Sequence, residues 1–72
     1  MIRKNVESSS IKSIGYNPIS KILEVEFARG AIYQYQNVSH EVYQELAYAD
    51  SVGKYFNKYI AKNYEYEKVN NE

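Results

Sequence analysis

Apolar and polar residues alternate along the segment KILEVEF. Leu23, Val25 and Phe27 share one face of an extended chain, because successive side chains of a strand point to opposite sides. Glu24 and Glu26 share the other face. This period of two predicts an antiparallel strand with one buried and one solvated face. The upstream segment IKSIGYN predicts an earlier strand, joined to this one by a turn at NPIS.

The next segment, FARGAIYQYQNV, contains Tyr33 and Tyr35, whose orientation depends on the turn that precedes them. A two-residue turn would point both rings to the glutamate face, but it needs a positive φ at Arg29, which is unfavourable. A three-residue loop needs a positive φ only at Gly30 and places both rings opposite apolar residues of the preceding strand. We therefore favour tyrosines in the core over tyrosines on an exposed stacking platform.

After Val38 the spacing of the apolar residues changes to the helical period. Ser39 predicts the N-cap of a first helix, SHEVYQELAYA, and Asp50 or Ser51 predicts the start of a second, VGKYFNKYIAKN. The apolar stripe of the second helix consists of Val52, Tyr55, Phe56, Tyr59 and Ile60. The last segment, YEYEKV, alternates again and predicts either a short final strand or a loose tail.

These elements define an α+β domain, with a three-stranded antiparallel β-meander followed by two helices and, in one alternative, a short C-terminal strand. We expect residues 1–5 to form a flexible N-terminal tail, residues 6–69 a single domain and residues 70–72 a C-terminal tail. A chain of 72 residues is near the lower size limit of independent stability, so assembly into a homo-oligomer is one way to stabilise it.

Composition excludes several classes of protein. Cysteine is absent, so we expect no disulfide, and no segment is apolar enough for a signal sequence or a membrane span. A cytoplasmic protein without membrane contact is the resulting expectation. Nine basic and nine acidic residues cancel, which argues against a broad positive field. Tyrosine is abundant, with nine residues against two phenylalanines and no tryptophan, and suits either a shallow core or a stacking surface.

Catalytic groups are scarce. The single histidine, His40, falls at an exposed helix start, where a solvated side chain is expected. Ser8, Ser9 and Ser10 have no adjacent base and serve better as backbone partners of the first strand. No histidine or carboxylate cluster has the spacing of metal ligands. We expect a protein that is not an enzyme, with no cofactor and no metal.

The segment DSVGK, at the start of the second helix, is the candidate anion site, since free N–H groups and the helix dipole favour anions there. Gly53 is costly in a helix and indicates a close approach to the backbone. Ser51, Lys54 and Asn57 are placed to hold a phosphate beside it. The alternative, which we favour, is close packing of the two helices at Gly53 with an ion pair between Asp50 and Lys54.

A row of lysines continues from this site along one edge of the second helix. At helical spacing the row consists of Lys54, Lys58 and Lys62, with Arg29, Tyr64 and Tyr66 as further cationic and stacking groups. Such a row either follows a phosphate backbone or is simply a solvated face. Glu65 and Glu67 oppose anion binding there.

Five segments in this order carry a resemblance to a known family: SSSIKSIGYN, LEVEF, YQYQNV after a glycine, ADSVGKYFNKYI and YEYEKV. Together they resemble the KTSC domain family, named for its occurrence at the C-terminus of some lysyl-tRNA synthetases. The resemblance covers about residues 6 to 69, and Tyr33 and Tyr35 correspond to the Tyr-x-Tyr marker of the family. It implies a bacterial or phage domain whose function is not established, and RNA binding from the synthetase context.

Three functional hypotheses follow. The first is a non-catalytic domain that binds RNA, another nucleic acid or a nucleotide through the helix start, the lysine row and tyrosines. The second is a protein-interaction or self-assembling domain, because aromatic side chains are favoured at interface centres. The third is a protein that sequesters a small phosphorylated ligand.

Overall fold

The computed structural model describes residues 3–69. The strands are β1 (Arg3–Asn5), β2 (Ile11–Asn17), β3 (Ile22–Phe27), β4 (Ile32–Tyr35) and β5 (Tyr66–Val69). The helices are α1 (His40–Ala47) and α2 (Val52–Tyr55), and α2 continues directly into a π-helical segment (Phe56–Ile60). All five strands form one antiparallel sheet in the order β1-β2-β3-β4-β5. The fold is therefore α+β, and no helix within residues 3–69 has the length and apolarity to cross a bilayer.

The predicted meander corresponds to β2, β3 and β4, and YEYEKV does add a strand, β5. The prediction of a flexible tail over residues 1–5 is corrected for Arg3–Asn5, which form β1 beside β2. Apolar and polar residues do not alternate in this segment, so its pattern did not predict a strand. In the structure a guanidinium nitrogen of Arg3 lies 2.9 Å from a carboxylate oxygen of Glu24. Residues 1–2 and the predicted tail 70–72 lie outside the described part of the chain.

The turn between β3 and β4 has the three-residue form that the sequence favoured. Gly30 has a φ of 101°, and its N–H donates to the carbonyl of Phe27 at 2.8 Å. The N–H of Phe27 donates to the carbonyl of Ala31, also at 2.8 Å. In the resulting register Val25 lies opposite Tyr33, as predicted.

Core residues come from one face of the sheet and from both helices. The buried cluster comprises Ile11, Ile14, Leu23, Val25, Tyr35, Val38, Leu46, Val52, Phe56 and Ile60. Tyr35 is only 4% exposed, so its ring belongs to the core, whereas Tyr33 is half-buried beside it. The preference for core tyrosines over an exposed platform is confirmed for Tyr35 and only partly for Tyr33.

The opposite face of the sheet carries a bonded polar network. Glu24 accepts a hydrogen bond from the side-chain amide of Gln34 at 2.8 Å in addition to its ion pair with Arg3. Glu26 accepts one from the hydroxyl of Ser13, also at 2.8 Å. Ser13 is 2% exposed, so this bond satisfies a buried hydroxyl that would otherwise destabilise the sheet.

Both helices begin with the predicted serine caps. The hydroxyl of Ser39 accepts from the N–H of Val42 at 3.2 Å, and the hydroxyl of Ser51 accepts from the N–H of Lys54 at 3.2 Å. The second helix differs from the prediction because its α-helical part ends at Tyr55. Beyond it, the N–H of Ala61 donates to the carbonyl of Phe56 at 2.9 Å, the five-residue step of a π-helix.

Candidate functional site

Three tyrosines from the last two strands stack on one another at one edge of the sheet. The ring centroid of Tyr66 lies 5.3 Å from that of Tyr33 and 5.3 Å from that of Tyr35. The register explains the contact, since Tyr66 is the direct cross-strand partner of Tyr35. Tyr66 is 53% exposed, so the stack runs from the core to the solvent.

Rings of the core support this stack from below. Phe56, from the π-helical segment, packs edge-on against Tyr35 with a centroid distance of 5.3 Å. Phe27 packs edge-on against Tyr33 at 5.5 Å and against Phe56 at 5.5 Å. Such perpendicular packing is favourable for aromatic pairs. The exposed ring of Tyr66 thus lies on a layer of packed aromatic rings.

A lysine of the same strand shares the sheet face of the exposed ring. Lys68 is the cross-strand partner of Tyr33 and is exposed. Because Lys68 and Tyr66 are two residues apart in β5, their side chains leave the sheet on the same face. We call Tyr33, Tyr66 and Lys68 the tyrosine surface.

Burial changes the acidity of the inner tyrosine. Loss of solvent around the Tyr35 hydroxyl, followed by the electrostatic effects of Tyr66 and Tyr33, raises the pKa of Tyr35 to about 12. Tyr35 is therefore a neutral group throughout the physiological range. Tyr55, away from this surface, also has a pKa raised to about 12, by burial and then by its hydrogen bond to Glu45 at 2.7 Å.

An open pocket of about 570 Å³ adjoins the tyrosine surface. Its lining consists of Ser9, Ser10, Phe27, Ala28, Arg29, Ala31 and Tyr33, and we call it the Arg29 pocket. Two turns form its walls, and the N–H of Ala28 donates to the carbonyl of Ser10 at 2.9 Å to join them. Tyr33 belongs to both the pocket and the tyrosine surface, so the two features are continuous.

Gly53 has a different neighbour from either of those expected. A Cβ atom at this position would lie 3.1 Å from the hydroxyl oxygens of both Ser8 and Ser10. The close approach at Gly53 therefore accommodates the serine turn before β2, and neither helix α1 nor a ligand is needed to explain it. The expected ion pair between Asp50 and Lys54 is not among those found in residues 3–69.

The serine turn has the backbone role that the sequence predicted for it. The hydroxyl of Ser8 accepts from the N–H of Ser10 at 3.2 Å and from the N–H of Ile11 at 3.3 Å. These bonds fix the start of β2, and the lack of a side chain at Gly53 lets the turn lie close to the second helix.

The remaining predicted site residues follow the second helix. Lys54, Asn57, Lys58 and Lys62 are exposed, and Tyr64 is half-buried against the core. The α-helical spacing that aligned the three lysines ends at Tyr55, so their common edge is not a regular helical one. Lys58 lies over the ring of Tyr59, with its Nζ 5.2 Å from the ring centroid.

The structure thus brings together only part of the predicted set. Arg29 and Tyr66 both adjoin Tyr33, whereas Ser51 and Gly53 lie at the start of α2. Sequence reasoning missed Lys68 and the contribution of Ser9 and Ser10 to a pocket. Pairing YEYEKV against YQYQ would have placed Lys68 opposite Tyr33, but no local pattern specifies the position of the serine turn.

The family of the chain follows from comparison with known proteins. The family model of the KTSC domain matches residues 7–70, which is most of the chain, and the protein belongs to the KTSC domain family. The crystal structure of a KTSC domain protein from Yersinia pestis superposes with a TM-score of 0.91 at 36% sequence identity. That match covers 96% of this chain and 97% of the other, so the two share the whole fold.

Relatives occur both as small proteins and within larger ones. A protein of Stutzerimonas stutzeri is 46% identical over 70 residues, which cover 96% of this chain and 99% of that protein. A lysine–tRNA ligase of a Nostoc strain is 41% identical over 63 residues, and a ligase of Trichormus variabilis is 38% identical. These matches cover 88% of this chain but only 11% of each ligase. The ligases therefore contain the domain as one part of a longer chain.

Proposed function

We propose that this domain is a non-catalytic module that binds single-stranded nucleic acid, with RNA as the first candidate, through the tyrosine surface. The observation that carries the proposal is the half-exposed ring of Tyr66, stacked on Tyr33 and Tyr35 at the sheet edge. A base can stack on such a ring whatever its sequence, because every base has a π-face. The aromatic layer beneath the ring limits the entropy that binding would cost.

Local charge supports the same proposal. Lys68 shares the face of Tyr66, and Arg29 lies in the adjoining pocket. Both cations are exposed and can contact phosphates that flank a stacked base. Because the chain as a whole is neutral, these local cations would have to supply the electrostatic attraction.

The relatives supply a context. Several proteins that contain this domain are lysine–tRNA ligases, enzymes whose name identifies a tRNA as their substrate. A module that contacts RNA would be useful to such an enzyme, which favours RNA over DNA as the ligand of this chain. The row of Lys54, Lys58 and Lys62, with Asn57 and Tyr64, is proposed as a secondary phosphate contact.

The proposal is tested by removing the exposed ring. Binding of a short fluorescent, unstructured RNA should weaken about 5- to 160-fold in Tyr66→Ala, since one stacked base contributes about 1–3 kcal/mol. Fluorescence anisotropy at low salt measures the affinity. Tyr48→Ala is the matched control, because Tyr48 is 80% exposed and lies at the end of α1.

Tyr66→Phe keeps the ring and should bind the same RNA nearly as well as the wild type. Equal loss in Tyr66→Ala and Tyr48→Ala, or no RNA binding by the wild type at low salt, would refute the proposal.

A protein-interaction or self-assembling domain is the second candidate. Strand β5 lies at the edge of the sheet, and an edge strand offers unpaired backbone groups to another chain. A molar mass that rises with protein concentration and returns to that of a monomer in Tyr66→Ala would favour this candidate over RNA binding.

A further inference from the structure

The Arg29 pocket brings aromatic rings, serines and a cation around one open volume. Its lining includes the rings of Phe27 and Tyr33, two serine residues and one guanidinium group. Within residues 3–69 the side chain of Arg29 has no hydrogen-bond or ion-pair partner, and it is exposed at the tip of a turn. The volume of about 570 Å³ falls in the range of pockets that bind small organic molecules.

We infer that the Arg29 pocket holds one nucleotide unit, with its base against the ring of Tyr33 and its phosphate on Arg29. The inference rests on the proposed function and adds to it a defined position for a single base. Tyr33 provides the link, because its ring both lines the pocket and stacks on Tyr66 at 5.3 Å. A strand that stacks one base on Tyr66 can therefore place a neighbouring nucleotide in the pocket.

The chemistry of the lining fits both halves of a nucleotide. An aromatic base is flat and apolar on its faces, which suits the rings of Phe27 and Tyr33 and the methyl group of Ala31. Its edge carries donors and acceptors, and serine hydroxyls can act as either. A guanidinium group binds a phosphate with two parallel hydrogen bonds, which a neutral side chain cannot reproduce.

The test uses free nucleotides on the full chain. Uridine and adenosine 5′-monophosphates, the two nucleosides without phosphate, and ribose 5-phosphate without a base are each titrated, and NMR shifts report the affinity. We expect the nucleotides to shift the signals of Ala31 and Phe27. The nucleosides should bind more weakly at the same place, and ribose 5-phosphate should bind at least about tenfold more weakly than the nucleotides.

Two variants separate the two contacts. Arg29→Gln should weaken nucleotide binding about tenfold or more while leaving nucleoside binding unchanged. Ala31→Leu fills the pocket and should abolish both, with thermal melting as the check that it folds. Lys21→Gln is the charge-matched control. Lys21 precedes β3 whereas Arg29 follows it, and six extended residues separate the two ends of the strand by about 20 Å.

The outcomes distinguish this inference from the proposed function. The pocket inference is overturned, and the proposed function stays intact, if RNA binding needs Tyr66 but is unchanged in Arg29→Gln and Ala31→Leu. In that case free nucleotides also fail to bind. The opposite result is that nucleotides bind as expected, RNA binds no more tightly than one nucleotide, and Tyr66→Ala leaves RNA affinity unchanged. That result would support the pocket inference and overturn the proposed function. Loss of nucleotide affinity in Lys21→Gln equal to that in Arg29→Gln would also overturn the pocket inference.

Discussion

Tyr35 shows how one residue links the fold to the candidate site. Its ring fills the core, at 4% exposure, and it also supports Tyr66 from below. Removing water from a phenol favours its neutral form, which is why the pKa of Tyr35 rises to about 12. The hydroxyl therefore links protein stability to pH in the alkaline range.

The sign of this linkage follows from proton binding. Between pH 10, the ordinary pKa of tyrosine, and pH 12, the folded chain keeps a proton on Tyr35 that the unfolded chain has released. The contribution of neutral Tyr35 to the free energy of unfolding is complete below pH 10 and is lost as the pH rises through 12. Tyr35→Phe cannot ionise, so its free energy of unfolding should fall less steeply in this range, by up to about 1.4 kcal/mol per pH unit.

Urea denaturation from pH 8 to 12 would measure this difference, with Tyr48→Phe as the control because its ring is 80% exposed. Parallel stability curves for Tyr35→Phe and the wild type would show that Tyr35 ionises equally easily in the folded and unfolded chains. The comparison uses slopes, so the shared contribution of Tyr55, whose pKa is also about 12, cancels.

At the scale of elements, the sequence predicted the turns and helix starts that depend on neighbouring residues alone. The left-handed conformation of Gly30 determined the register of β3 and β4, and serine caps marked both helix starts. Strand β1 could not be predicted from local pattern, because it pairs with β2 and its arginine bonds a glutamate 21 residues away in sequence. The π-helical segment was missed for a similar reason, since its apolar spacing also fits an α-helix.

Gly53 illustrates why part of the site was misread. A costly residue in a helix signals a close neighbour, but the sequence does not say which neighbour, and the serine turn lies more than 40 positions upstream. The same limit applies to the Arg29 pocket, whose two walls meet only after β2 and β3 have paired. Arg29 was predicted from its charge alone, and its pocket was not.

The contact at Gly53 predicts an unusual response to alanine. In an open helix Gly→Ala stabilises by up to about 1 kcal/mol. Here the new Cβ would lie 3.1 Å from the hydroxyl of Ser8, which cannot move without loosening its bonds to two backbone N–H groups. We therefore expect Gly53→Ala to lower the free energy of unfolding, as measured by urea denaturation.

A double-mutant cycle with Ser10→Ala supplies the control, because that change removes one of the two contacting hydroxyls. The penalty of Gly53→Ala should be smaller in the Ser10→Ala background. If Gly53→Ala instead raises the free energy of unfolding of the wild type by the full helix-propensity value, the serine turn moves away from the new Cβ atom at no cost.

The charge of the whole molecule provides a test of where an RNA strand lies. Nine basic and nine acidic residues cancel, so attraction must come from local cations, and each phosphate neutralised on a single strand contributes about 0.7 to the salt dependence. Contacts at Lys68 and Arg29 alone predict a slope of log affinity against log salt of about −1.4. Adding Lys54, Lys58 and Lys62 predicts about −3.5.

Anisotropy titrations at several salt concentrations would measure the slope. Lys68→Gln should flatten it by about 0.7, because this lysine lies beside Tyr33 on the face where the strand is proposed to stack. If the lysine row is a secondary contact, the triple variant Lys54→Gln, Lys58→Gln, Lys62→Gln should flatten the slope by about 2.1. It should leave the slope unchanged if the tyrosine surface alone contacts the strand. If the slope changes in the triple variant but not in Lys68→Gln, the RNA binds along the second helix and not on the tyrosine surface.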